Sequence, residues 1–171
     1  MVDDIPLLIE QMRKMGLVEI WDNNIPMHWK QRNLSWGWTA MIWLAYIYRY
    51  GDHRKLAMEK YVEGMQSTLS SLVGQKIEAL DVSSDRLACL LKNLANSKYW
   101  DKIEAELNER TIKVYDLETE TIRCDATTVS CNHNIEPEGL IQFGHSKDDL
   151  RSPQFKLMMG SFSNIRNAFS Y

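Results

Sequence analysis

TIRCDATTVS, residues 121–130, sets the β-branched residues Thr121, Ile122, Thr127, Thr128 and Val129 around one carboxylate, Asp125. Such residues are stiff at χ1 and suit a pleated strand better than a helix. The stretch therefore predicts a β-strand that delivers an aspartate near its end. Most of what precedes it has helical periodicity, so the chain changes class close to Tyr115.

Upstream of that change the apolar residues recur at helical spacing. Asp4 is placed to cap a first helix with Pro6 in its opening turn; Leu7, Leu8, Met12 and Met15 follow before Gly16 stops it. WDNNIPMHWKQRN, residues 21–33, reads as a loop rich in Asn. Ser35 then caps the most apolar segment, WGWTAMIWLAYIY, which ends before Gly51. Five of the six tryptophans lie between Trp21 and Trp43, and at helical spacing they read as core in preference to base-stacking groups.

Leu56, Met58, Tyr61, Val62, Met65, Leu69 and Leu72 carry a helix closed by Gly74. Leu87, Leu90, Leu91 and Leu94 define a capped helix. A last one places Ile103, Leu107 and Ile112 inward, with acids toward its start, where the helix dipole favours them. After Tyr115 the period becomes that of strands, at TIRCDATTVS, LIQFGHSKD and QFKLMMGSF. The expected fold is mainly α with a C-terminal β segment: a helical domain over 1–115 and the start of a sheet over 116–171. Three strands without a covering helix leave a sheet poorly buried, which predicts a second domain that stops partway.

Bulk properties narrow the classes. The chain has 171 residues, 44% of them hydrophobic and 25% charged, the balance of an ordinary globular protein. A net charge of −3 does not announce a nucleic-acid binder. Three cysteines, Cys89, Cys124 and Cys131, form no disulfide framework and point to a reducing compartment, the cytoplasm. The N-terminus has acids where a signal peptide is basic, and Trp36–Tyr48 is shorter than the roughly 20 residues of a membrane span.

Asp125 admits three readings from the residues alone. It can be a turn carboxylate bonded to nearby backbone. It can be an aspartyl nucleophile with Thr127 handling a proton two residues on, although no alternating βα units follow. It can be one metal-binding carboxylate of a nuclease-like sheet, which needs several acids because two ions about 4 Å apart must be held. Zinc at Cys124, Cys131 and His133 lacks the paired CxxC spacing of strong zinc sites, which favours ordinary thiols beside a turn.

Five segments taken together extend the reading: IPLLIEQMRKMGLVEIWDNNIP, WLAYIYRYGDHRK, SSDRLACLLKNL, ELNERTIKVYDLETETIRCDATTVS and LIQFGHSKDDLRSPQFKLMMGS. In this order, from about Asp4 to about Gly160, the chain resembles the N-terminal half of bacterial insertion-sequence transposases of the DDE type. The resemblance implies a helical N-terminal domain followed by the first strands of a ribonuclease H-like catalytic domain. Asp125 would then be the first acid of the triad and a ligand of Mg²⁺, with the Thr127 and Thr128 hydroxyls orienting it. The implied chemistry is hydrolysis at the transposon end, then attack of the freed 3′ hydroxyl on target DNA.

FGHSKD would lie on the strand next to that of Asp125, with His145 and Lys147 toward DNA phosphate. At the helix junction YRYGDHRK, Arg49, His53, Arg54 and Lys55 form a basic cluster fit for phosphate, or for complementing a helix dipole. The family continues with a second Asp and a Glu, whereas SFSNIRNAFSY does not resemble its continuation and DDLRSPQ is shorter than its usual linker. The expectation is a truncated transposase, inactive alone, whose partners are transposon-end DNA and full-length transposase or a second copy of itself. The alternative is a non-enzymatic helical module acting on the same partners.

Overall fold

The computed structural model describes residues 4–27, 34–117, 122–132, 134–144 and 152–162. The chain divides into two compact units, Met1–Val114 and Tyr115–Tyr171. The first is helical and the second holds a three-stranded antiparallel sheet.

In the first unit, α1 (Ile5–Lys14) and α2 (Leu17–Asn24) are joined at Gly16, whose φ of 70° lies in the left-handed region that glycine enters without steric cost. The chain thus starts a second helix where a loop was expected at Trp21–Asn24. Asp4 stands at the N-cap of α1 without a side-chain cap bond. The inward face of α1 is Ile5 and Ile9, while Leu7 is exposed.

Helix α3 (Trp36–Tyr50) is the centre of the unit. The Ser35 hydroxyl accepts from the Trp38 N–H at 3.3 Å, and Gly51, at φ 62°, closes the helix. Buried residues surround most of its girth between Trp36 and Tyr46, as expected of a helix apolar on all sides. Trp21, Trp36 and Trp43 are buried, which makes these indoles core. Trp100 is the exposed one among the described tryptophans, and Trp29 lies outside the described residues.

Helix α4 (Ala57–Val73) buries Met58, Val62 and Leu69, and Gly74 ends it in the left-handed conformation. Leu56 precedes the helix and is exposed. A 3₁₀ turn, Ala79–Val82, leads into α5 (Ser84–Leu94), where the Ser83 hydroxyl accepts from the Arg86 N–H and Leu87 and Leu90 face inward. Helix α6 (Ser97–Tyr115) buries Ile103, with Leu107 packed against the core. It starts earlier than its acids predict, so its first turn holds none of them. Each fully buried Ile or Leu of this core contributes roughly 2 kcal/mol.

In the second unit, β1 (Ile122–Ser130) pairs antiparallel with β3 (Pro153–Phe162), and β3 pairs with the two-residue β2 (Gln142–Phe143). The order is β1-β3-β2. The second expected strand is therefore a short outer one beside β3, not the neighbour of β1. The physical reason is reach: β3 offers nine residues of continuous register against β1, from Ser130 opposite Gln154 to Ile122 opposite Phe162.

Candidate functional site

Asp125 lies within β1 and faces Met159 in the ladder, rather than standing at a strand end. Alternate residues of a strand share a face. Asp125, Thr127 and Val129 therefore share one with their ladder partners Met159, Leu157 and Phe155. Thr128 lies on the opposite face and is not placed to orient the carboxylate; Thr127 shares the face but makes no hydrogen bond to Asp125 among the described residues. The face is open, with Asp125, Leu157 and Met159 all exposed.

No ion pair or side-chain hydrogen bond holds Asp125 among the described residues, which removes the turn-carboxylate reading. Nor, among the described residues, does any group of three His, Cys, Asp or Glu side chains fit to hold a metal ion. Asp125 alone does not make a Mg²⁺ site, because two such ions need several converging oxygen ligands. Cys124 is exposed on the other face, Cys131 is half-buried with its thiol 3.5 Å from the Pro153 carbonyl, and His133 lies outside the described residues.

Four of the basic candidates, Arg49, His53, Arg54 and Lys55, belong to the corner between α3 and α4, where His53 is exposed. Arg49, in the last turn of α3, lies 3.9 Å from the Asp4 carboxylate and 5.7 Å from the ring centre of Tyr50. Arg54 is clasped by Asp52, its Nη2 and its backbone N–H each donating at 2.9 Å. Those bonds from Arg54, with one from the Tyr46 hydroxyl, hold the Asp52 carboxyl well below the usual carboxylate range. The phosphate-contact reading of Arg54 therefore meets an occupied guanidinium. Lys55 makes no ion pair among the described residues. His145 and Lys147 lie outside them.

Sequence reasoning did not find the aromatic cluster behind this corner. Tyr46 packs with Tyr50 and Tyr61 at centroid distances of 5.2 and 5.0 Å. Burial pushes the Tyr46 phenol above its ordinary range, and the bond to Asp52 adds to it. Burial pushes Tyr61 up to about 12. The available signal was the i, i+4 spacing of Tyr46 and Tyr50 on α3. Among the described residues, no helix is long and apolar enough to cross a membrane. No protein-family model, no curated protein and no solved structure matches the chain.

Proposed function

We propose that the chain is the N-terminal part of an insertion-sequence transposase of the DDE type, acting in the cytoplasm. Its helical unit engages transposon-end DNA, and its sheet is the opening of a ribonuclease H-like domain in which Asp125 is one acid of a metal site. The observation that carries this reading is Asp125 itself: an exposed carboxylate without a partner among the described residues, on a long strand. A carboxylate set there serves no local turn. The outer edge of β1 is unpaired among the described residues, which leaves room for further strands bearing further acids.

These residues by themselves supply one carboxylate of the several such a site requires, so the chain alone cleaves no DNA. A second reading, a non-enzymatic helical module that binds transposon DNA or full-length transposase, is favoured by the first unit having its own buried core. An electrophoretic mobility-shift assay with terminal-repeat and scrambled duplexes tests the reading. The expected result is a preferential shift that weakens in Arg49→Ala/Lys55→Ala, stays in Asp125→Ala, and is accompanied by no nicking in Mg²⁺. Absence of a shift, together with no association with full-length transposase, overturns both readings.

A further inference from the structure

Antiparallel ladders alternate hydrogen-bonded and non-bonded residue pairs. The Cys131 N–H donates to the Pro153 carbonyl at 2.8 Å, which continues the register that sets Ser130 opposite Gln154. The bonded positions of β1 are therefore the odd ones, and Asp125, Thr127 and Val129 turn their N–H and C=O groups toward β3. Cys124, Ala126, Thr128 and Ser130 turn theirs to the outer edge, which no strand occupies among the described residues. The opposite edge of the sheet is β2, which is two residues long. The sheet thus has a single long edge with free donors and acceptors.

Such an edge is a template for another strand unless proline, lysine, a bulge or a covering segment blunts it. Ile122–Ser130 holds no proline, glycine or lysine, and its register against β3 runs without a bulge. Its own residues fit it to a second copy. In an antiparallel pairing of two copies about a twofold axis, centring on Asp125 or on Arg123 would set like charges opposite each other. Centring on Ala126 keeps the whole of Ile122–Ser130 paired, and any other centre shortens the ladder. That register sets each exposed Asp125 carboxylate opposite the exposed Thr127 hydroxyl of the other copy. The two residues then form a non-bonded pair, where strands bring side chains closest, while the two Asp125 carboxylates stand apart on the diagonal, at about 7–8 Å. We infer that two copies of the chain associate through β1, dyad at Ala126, into one continuous sheet. The short β2 edge closes this assembly at two. The pairing does not rest on the transposase reading, and its failure leaves the DNA-binding test of that reading untouched.

Sedimentation equilibrium of the full chain from micromolar to millimolar concentration tests the assignment. The expected result is a monomer–dimer equilibrium that stops at the dimer. Ala126→Pro removes the N–H at the dyad without touching a bond to β3, as proline is tolerated on a strand edge; it should be monomeric throughout, with unchanged circular dichroism. The register is read from Thr127, which faces Asp125 of the other copy twice per dimer. Thr127→Lys should tighten the dimer roughly fivefold, and Thr127→Asp should weaken it by a similar factor, as cross-strand charge pairs do. These two variants keep the proposal testable if Ala126→Pro does not fold. A chain that stays monomeric, growth past the dimer, or a dimer indifferent to Ala126→Pro overturns the proposal. So does a dimer whose affinity is the same with Lys, Thr or Asp at position 127, which would place the contact elsewhere.

Discussion

The Tyr46 hydroxyl donates to the Asp52 carboxylate at 2.7 Å, and through Asp52 the end of α3 is tied to Arg54 in the following loop. Because Arg54 and Tyr46 both donate to the ionised form, the folded carboxyl titrates below its ordinary value. A depressed carboxyl contributes stability that is present above the unfolded pKa of about 4 and is lost as pH falls through the folded one. Asp52→Asn should therefore lower the thermal midpoint at pH 7, with the gap to the natural protein closing on acidification toward pH 2. Melting curves across that range check it; a gap independent of pH would contradict the ion pair's role.

Tyr61 behaves in the opposite sense. Its hydroxyl is buried and has no hydrogen-bond partner among the described residues, and its pKa is pushed up to about 12 by burial. The neutral form is the folded form, so its contribution is full below the ordinary tyrosine value and is lost as pH rises through about 12. Tyr61→Phe removes an unsatisfied donor and should raise stability at neutral pH by up to about 1 kcal/mol. Its advantage should widen in alkali, where the natural protein alone ionises this ring on unfolding. Urea unfolding at neutral and alkaline pH measures both effects.

Gly37 lies at a close approach of α2 to α3. Its N–H donates to the Asp22 carboxylate at 2.7 Å, and a Cβ at this position would fall against the Val18 carbonyl oxygen and 2.8 Å from the Val18 Cα. Backbone cannot yield as a flexible side chain does. Gly37→Ala gains about 1 kcal/mol of helix propensity, but the displaced backbone should leave a net destabilisation of about 1–3 kcal/mol. Chemical denaturation would show this, and a neutral result would mean that α2 can shift on α3 at little cost.

Arg86 holds three segments together. Its guanidinium lies 3.8 Å from the buried Asp81 carboxylate, 5.7 Å from the Trp36 ring centre, and donates to the Leu34 carbonyl. Burial pulls its pKa down despite the neighbouring carboxylate. Arg86→Met leaves Asp81 buried without this cation and should cost about 3 kcal/mol. A double-mutant cycle with Asp81→Asn should give a coupling of about 1–3 kcal/mol; a cycle that closes to zero would reduce the pair to coincidence.

Legibility differs between parts of the molecule. Caps and stops were readable because they are local: Ser35, Gly51 and Gly74 each act within a few residues of the helix they bound. Leu7 and Leu56 were misread because apolar spacing gives a face but not which neighbour covers it, and both are exposed. Gly16 read as a stop, yet its left-handed turn restarts a helix that the Asn-rich stretch disguised. At the candidate site, Asp125 was readable as a strand carboxylate, whereas its position inside the strand and the separation of Thr128 from it follow from a ladder with a distant segment.

The sequence by itself determined the change from helix to strand near Tyr115, the helical bodies from α3 to α6 and the strand that bears Asp125, since periodicity, propensity and capping act over a single turn or strand. Only the tertiary structure decided that β3, not β2, lies beside β1, and that Asp52 occupies Arg54. Strand pairing, ion pairing and cavities depend on which surfaces meet after the chain has closed on itself. Residue spacing along the chain carries no record of that.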